Sequence, residues 1–413
     1  MKKFNINPYA LSFIFAALIW MYVIHYHNLY PYLGHYSFAP SFYDWEFVRG
    51  FAKCAIENKN RFFELSCDAG NRASVYPPAW IYTPKIFYYL KPDFVFWTTF
   101  TFFLLTIVKW ISIHNMKRWL LVFFIIFSPY FLYAYQRLNV DLMFLILMFL
   151  CIAWHVHQKN IYQYYSATLY VCLSVLKIYP IILGLLFVKE KRRLVIFIFS
   201  LMGILGLFFI IIHHAEIKVM LSNKIMAGLP GSGTFSGNTL YYALLKNLGM
   251  NAPMFSLWYT LLNLLLTGFI FVLCPKNQTP LHHSKRSQTF WVAGFLILLF
   301  SFILSYNVNY RLVFVLLFIP LFFETSFAKN KINQKLMIVF LVLFFFRSHI
   351  PTVISNLAIL NASGVIDLQQ VLSPSNFKLG LKIDLFDSVL QWFIIASLIY
   401  IYKFNFYRQR LFL

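Results

Sequence analysis

The chain has 413 residues, of which 61% are hydrophobic, 21% aromatic and only 12% charged. A water-soluble globular domain could not hide so much apolar surface in its core, so this composition excludes one and predicts an integral membrane protein. The formal net charge of +22 does not predict a nucleic-acid-binding protein, because Lys and Arg cluster in short segments between apolar runs, as they do in cytoplasmic loops.

Apolar runs of roughly 16 to 20 residues recur along the chain and predict helices that span a bilayer. Their close spacing leaves little room for a separate soluble domain. We therefore expect an all-α fold, with one polytopic membrane domain over residues 1–413 and about twelve transmembrane helices. The predicted helices span about 9–27, 93–111, 119–135, 140–157, two short helices within 162–188, 193–212, 255–273, 290–305, 311–323, 336–349 and 386–402.

The positive-inside rule gives these helices an orientation, with both termini cytoplasmic. Lys2 and Lys3 place the start of the chain inside, and the first apolar run lacks a small-residue cleavage site, so we expect a retained first helix. The predicted external segments are 28–92, 213–254 and 350–385. The chemistry of the protein is therefore expected on the external face.

The segment 162–188 is predicted to be a broken helical hairpin inside the membrane. Lys159 and the basic run KEKRR both mark the inner side, so the chain must cross an even number of times between them. Pro180 cannot donate a backbone hydrogen bond and disfavours a helical conformation in the residue before it. The turn of the hairpin is thus expected between Lys177 and Pro180.

The first external segment contains the run SFYDWEFVRG, with two carboxylates, Asp44 and Glu46, among aromatic neighbours. One interpretation is a solvated loop, because paired carboxylates are common on surfaces. The other is a general base held beside aromatic side chains. Tyr43, Trp45 and Arg49 would then line the substrate groove.

Two further features belong to the same external segment. The aromatic, proline-rich stretch 74–90 is too short and too broken to span a bilayer and is suited to the membrane interface, where Tyr and Trp are enriched. Cys54 and Cys67 would pair in an oxidising compartment or remain free thiols. The sequence leaves that alternative open.

A second polar run, QRLNVDLM, follows the third predicted helix. Asn139 or Asp141 would cap the next helix, and Arg137 would either pair with Asp141 or bind substrate.

Lys177 is the more specific signal, because a lysine at the centre of a membrane helix costs roughly 2.5 to 3.5 kcal/mol on insertion scales. Snorkelling to the interface is the alternative to a partner or a hydrated cavity. Arg311, with Tyr306 and Tyr310 nearby, adds a second cation at similar depth.

Cations at the outer membrane boundary, with a carboxylate segment above them, fit an anionic lipid head group undergoing chemistry. The sequence contains no His or Cys cluster with metal-ligand spacing and no phosphate-binding glycine loop. GLPGSGTFSG lacks the Lys-Ser/Thr ending of a P-loop and predicts a flexible external loop. We therefore expect no metal, no cofactor and no nucleotide.

The chain resembles the polytopic GT-C glycosyltransferases, particularly the bacterial polyprenol-phosphate-mannose-dependent mannosyltransferases. The resemblance spans most of the chain and implies a bacterial plasma-membrane enzyme that transfers a hexose, with mannose favoured, from a polyprenyl phosphate to a lipid or glycan hydroxyl with inversion. The segment DWE departs from a paired-aspartate motif. The resemblance rests on Asp44, on the segment Tyr76, Pro77 and Pro78, on Arg137, Asn139 and Asp141, and on the helix break with Lys177 and Pro180.

The resemblance also implies a role for each site residue. Asp44 would be the base, with Glu46 in support, and the departing polyprenyl phosphate would be stabilised by Lys177, Arg137 and Arg311. The expected substrate groove comprises Tyr43, Trp45, Arg49, Tyr76, Asn139, Asp141, Tyr179, Tyr306 and Tyr310.

Two other functions stay open. One is a polysaccharide polymerase or ligase that uses diphosphate-linked glycans. The other is a lipid or ion transporter, in which Lys177 and Arg311 would line a pathway and Asp44 would be incidental.

Overall fold

The structure is a computed structural model, and the part of the chain that it describes is almost entirely helical. Helix accounts for 85% of the structure, and the described ranges contain no strand, so the all-α prediction is confirmed. The described residues are 7–27, 29, 42–68, 74, 76–157, 160–177, 179–187, 190, 192–226, 238–248, 257–274, 284–304, 309–324, 331–362 and 374–406.

The α-helices are numbered here in chain order. They are α1 (Pro8–Tyr26), α2 (Tyr43–Ile56), α3 (Pro92–Trp110), α4 (Met116–Ile126), α5 (Pro129–Gln136), α6 (Val140–Val156), α7 (Asn160–Leu176), α8 (Arg192–Ile212), α9 (His214–Met226), α10 (Asn238–Asn247), α11 (Leu257–Leu273), α12 (Lys285–Leu304), α13 (Ile319–Phe322), α14 (Lys331–Ala362) and α15 (Pro374–Phe406). Short 3₁₀ helices occupy Leu65–Cys67, Pro78–Tyr82, Lys85–Tyr88, Tyr179–Leu186 and Asn309–Phe318.

Within the described residues, four helices are long and apolar enough to cross a membrane, namely α1, α3, α8 and α12. The pair α4 and α5 makes a fifth candidate if it is one span bent by 52°. The bend replaces the straight helix predicted over 119–135 and lies at Pro129, whose ring disfavours a continuous helix. These spans fit an α-helical membrane protein but do not amount to the twelve that the sequence predicted.

The chain divides into two compact units that alternate along the sequence. The first comprises residues 1–22, 38–119 and 134–227, and the second comprises 23–37, 120–133 and 228–413. Each unit is described by itself below.

The first unit contains the predicted hairpin, and the break is where the sequence placed it. Helix α7 ends at Leu176, and Tyr179–Leu186 folds back along it. The Tyr170 hydroxyl donates to the carbonyl of Ile181 at 2.8 Å, and the Tyr170 and Phe187 rings are 5.3 Å apart. The returning arm is a 3₁₀ helix, which corrects the expectation of a second α-helix.

The returning arm packs closely because residue 184 is glycine. A Cβ atom on Gly184 would lie 2.6 Å from the Tyr170 hydroxyl oxygen, so a side chain there would force the Tyr170 ring or the returning arm to shift. Beyond the arm, the Glu190 carboxylate reaches His155, near the end of α6, at 3.4 Å. The start of α7 and the segment after the returning arm therefore both lie near the C-terminal end of α6.

The first external segment, predicted as a loop over 28–92, contains a helix in its described part. Helix α2 buries Trp45, Val48 and Phe51 on one face, in the spacing of an amphipathic helix. The Phe51 ring lies 6.4 Å from the Trp80 ring, so α2 packs on the aromatic stretch 74–90. Cys54 and Cys67 form a disulfide and are not free thiols, the two possibilities that the sequence left open.

In the second unit, the helix predicted over 311–323 is instead a 3₁₀ helix, Asn309–Phe318, followed by the single turn of α13. It packs against α12 at Gly294, where a Cβ atom would lie 2.9 Å from the Cβ of Leu317. Helices α14 and α15 are joined by a buried ion pair, with Arg347 Nε at 2.8 Å from Asp387 Oδ1. The Tyr130 hydroxyl accepts a hydrogen bond from the same guanidinium at 2.9 Å.

Candidate functional site

The first turn of α2 is attached by its backbone to the connection between α5 and α6. The Phe42 amide donates to the carbonyl of Gln136 at 2.7 Å, and the Asp44 amide donates to the carbonyl of Arg137 at 3.0 Å. Phe42 has φ 61° and Leu138 has φ 47°, left-handed conformations that L-residues other than Asn and Asp seldom adopt. This attachment places the Asp44 side chain beside Arg137.

Asp44 and Arg137 form a two-point ion pair. Arg137 Nη2 is 2.5 Å from Asp44 Oδ1, and Arg137 Nε donates to Oδ2 at 3.0 Å. The amide nitrogen of Asn139 also donates to Oδ2. Asp44 and Arg137 expose only 9% and 17% of their side chains, so the carboxylate is held on both oxygens and is largely shielded from solvent.

A second ion pair joins Lys177 to Asp141, which lies in the first turn of α6. Lys177 Nζ donates to Asp141 Oδ1 at 2.7 Å, and the Tyr179 hydroxyl donates to the same oxygen at 3.0 Å. The lysine exposes 6% of its side chain and the aspartate none. Lys177 Nζ also lies 4.9 Å from the centre of the Tyr76 ring, within the range of a cation–π contact.

Asn139 joins the two pairs. Its Oδ1 accepts a hydrogen bond from the Asp141 amide at 2.8 Å and so caps α6, while its Nδ2 binds Asp44. We call the five residues Asp44, Arg137, Asn139, Asp141 and Lys177 the ion-pair cluster. Every member comes from a helix end or a helix break.

The ion-pair cluster decides several of the sequence-based alternatives. The cap of α6 is confirmed, with Asn139 as the capping residue. Arg137 forms its ion pair with Asp44, a partner that the sequence did not predict. Snorkelling of Lys177 is wrong, because its ammonium group is buried against Asp141. Asp44 and Lys177 are connected within one hydrogen-bonded cluster through Asn139 and Asp141.

Glu46 pairs with Arg49 one turn along α2, at 2.5 Å, and not with a member of the ion-pair cluster. Arg49 Nε also donates to the carbonyl of Tyr88 at 3.1 Å. The Trp45 ring lies 5.6 Å from the Phe87 ring, and its indole nitrogen is buried without a hydrogen-bond partner in the described part of the chain. The ring of Tyr43 lies 5.0 Å from the Arg137 guanidinium.

The described part of the chain does not test the three remaining predicted residues, Arg311, Tyr306 and Tyr310. Arg311 lies on the 3₁₀ helix of the second unit. Tyr306 falls outside the described residues, and Tyr310 is described in its backbone alone. Their predicted roles stay predictions.

Sequence reasoning missed two features of the first unit. The first is an apolar crevice with no room for water, lined by Phe96, Thr99, Phe100, Phe103, Tyr135, Leu138 and Leu142. The second is a set of hydrogen bonds between residues 213–216, at the start of α9, and the segment that carries α2. The Tyr82 hydroxyl lies 2.9 Å from His213 Nε2, and Asn60 donates to Glu216 at 2.7 Å. The paired histidines 213 and 214 were the available signal for the second feature.

Among the residues that the structure describes, no three His, Cys, Asp or Glu side chains are grouped closely enough to hold a metal ion. Comparison of the chain with protein-family models, with curated proteins and with solved structures found no match.

Proposed function

We propose that the protein is an inverting glycosyltransferase that moves a hexose, with mannose favoured, from a polyprenyl phosphate to a hydroxyl of a lipid or glycan acceptor. The observation that carries this proposal is the ion-pair cluster. It holds two carboxylates, Asp44 and Asp141, and two cations, Arg137 and Lys177, in a single hydrogen-bonded arrangement. A carboxylate suits an acceptor hydroxyl, and two cations suit a phosphate.

In the proposed reaction, the acceptor oxygen attacks the anomeric carbon while Asp44 takes the hydroxyl proton. The bond between that carbon and the phosphate oxygen breaks, and the polyprenyl phosphate leaves with the bonding electrons. Arg137 and Lys177 stabilise the charge on the departing phosphate. No separate redox partner or nucleotide is required for this step.

The geometry adds a requirement on the order of binding. Both oxygens of Asp44 accept hydrogen bonds from Arg137 or Asn139, so the carboxylate is occupied before substrate arrives. A donor phosphate that attracts the Arg137 guanidinium would release one oxygen of Asp44, while Asn139 keeps the carboxylate in place. The donor would therefore bind before the acceptor can be deprotonated.

Two observations support the location of this chemistry. The disulfide between Cys54 and Cys67 fits an oxidising compartment, and it lies in the segment that carries Asp44. The left-handed conformations of Phe42 and Leu138 flank Asp44 and Arg137, and such strained residues are concentrated at functional sites. The proposal accordingly includes a GT-C arrangement of about twelve spans in a bacterial plasma membrane, with both termini cytoplasmic.

A transporter remains the second candidate, because the pair of Lys177 and Asp141 is buried next to apolar helices and such pairs also mark transport pathways. A polymerase or ligase of diphosphate-linked glycans shares the external chemistry but would use a different donor. The three functions differ in what the Asp44→Asn variant should do. A transferase should lose turnover and keep donor binding, whereas a transporter should keep transport.

The experiment measures sugar transfer by the purified full chain in detergent, with a panel of polyprenyl-phosphate sugars and polyprenyl-diphosphate glycans and a membrane-lipid extract as acceptor source. Asp44→Asn is compared with Glu57→Gln, which removes an exposed carboxylate of the same segment. Transfer by wild type and Glu57→Gln, at least a hundredfold lower in Asp44→Asn, supports the proposal. Full activity of Asp44→Asn overturns Asp44 as the base, and turnover of diphosphate donors alone favours the polymerase.

A further inference from the structure

A cavity of about 340 Å³ lies where α7 and α8 begin. Helix α7 has 17 residues, about 25 Å at 1.5 Å per residue, and Lys177 follows its other end. The cavity is therefore separate from the ion-pair cluster. It is lined by Asn160, Gln163, Tyr164, Arg192, Arg193 and Leu194.

The cavity carries positive charge that no described acid neutralises. Arg192 and Arg193 both line it, and neither forms an ion pair with a carboxylate of the described residues. Glu190, an acidic residue close to them in the chain, is engaged with His155 at 3.4 Å. Two guanidinium groups, two amides and a phenol that line one space match an anion with several oxygen acceptors.

The surface that continues from the cavity is apolar and open. Only 6% of the apolar stretch of α8 is buried in the protein, and Ile196 and Phe199 are exposed by 53% and 65%. A Cβ atom on Gly203 would meet no atom within 4 Å. A cationic cavity at one end of a spanning helix, followed by exposed apolar side chains, has the form of a phospholipid with its head group and acyl chains.

We infer that this cavity binds the phosphate head group of an anionic phospholipid, with the acyl chains along the exposed face of α8. Basic residues at helix ends are common in membrane proteins for reasons of orientation alone. Lys117 and Arg118, at the start of α4, are such a pair, and Arg118 donates to the carbonyl of Ser112 at 3.0 Å. The arginines of α8 differ because both line one partly open cavity of a size that ligand sites have.

The test uses the full chain in a neutral detergent, titrated with short-chain phosphatidylglycerol, with phosphatidylcholine of equal chain length and with inorganic phosphate. Binding is followed by native mass spectrometry. The variant Arg192→Gln with Arg193→Gln removes the charge, and Gln163→Trp fills the cavity without changing charge. Lys117→Gln with Arg118→Gln is the matched control.

The expected result is binding of phosphatidylglycerol that is about 10- to 30-fold weaker in the double arginine variant, also weaker in Gln163→Trp, and unchanged in the control. An equal loss in the control would reduce the effect to general surface charge and overturn the site. Equal binding of phosphatidylcholine would remove the requirement for an anion. Inorganic phosphate that binds as tightly as the lipid would make the site one for a small anion and overturn the lipid assignment.

Discussion

The buried pair of Lys177 and Asp141 allows a quantitative test, because its two charges are 2.7 Å apart and almost fully hidden. At an effective dielectric constant of about 20, unit charges at that distance attract by about 6 kcal/mol. Desolvation of two buried ions costs several kcal/mol each and offsets most of that attraction. The pair as a whole therefore contributes little net stability, although each charge depends strongly on the other.

The variant Lys177→Met removes one charge and leaves the Asp141 carboxylate buried with the Tyr179 hydroxyl as a remaining partner. We expect a loss of about 3 to 5 kcal/mol in the free energy of unfolding. Lys177→Met combined with Asp141→Leu removes both charges and should recover most of that loss. Unfolding in mixed micelles, followed by tryptophan fluorescence, gives the double-mutant cycle and its interaction energy.

An interaction energy near zero would refute the reasoning, since it would mean that the two charges are not buried against each other. The same double variant also separates structure from chemistry. If it folds but transfers no sugar, the pair is needed for the chemistry and not only for the fold, as the proposed role of Lys177 requires. If it folds and keeps full activity, Lys177 serves only to neutralise Asp141, and the phosphate-binding role of Lys177 is wrong.

Three further outcomes are expected. Replacement of Cys54 and Cys67 by Ser opens a loop closed over a sequence separation of 13 and should lower the free energy of unfolding by about 3 kcal/mol relative to oxidised wild type, whereas reduced wild type should match the variant. Gly184→Ala should cost about 1 to 3 kcal/mol through its clash with the Tyr170 hydroxyl, and Tyr170→Phe in the same chain should recover part of it. Sugar transfer should survive EDTA, because cationic side chains are proposed to stabilise the phosphate; abolished transfer would contradict this.

The sequence predicted best those elements whose signal is local. Helices α3, α6 and α8 match the predicted 93–111, 140–157 and 193–212 to within a residue, because each is an apolar run bounded by polar residues. The break after Leu176 was also predicted, because Pro180 interrupts a helix and because the chain must cross the membrane an even number of times between Lys159 and the KEKRR run. These features follow from hydropathy and from proline chemistry, which neighbouring segments do not alter.

Other features could not be predicted from the local pattern of apolar and polar residues. The run from Asn309 to Phe322 is nearly all apolar, and a run without alternation carries no period that separates a 3₁₀ helix from an α-helix. Helix α2 was missed because it lies in a segment assigned as external loop on hydropathy, although its apolar residues follow a helical spacing. The partner of Arg137 was missed because its pairing with Asp44 depends on backbone hydrogen bonds between distant segments.

The positions of the charged residues and the breaks in the helices have one physical cause. A charge within a continuous apolar helix is costly, whereas a charge at a helix end meets free backbone groups and a nearby partner. Arg137 lies between α5 and α6, Lys177 between α7 and its returning arm, and Asp44 in the first turn of α2. Asn139 serves the fold and the site together, because one amide caps α6 and holds Asp44. The breaks that interrupt these helices are thus also what allows two cations and two carboxylates to meet in one place.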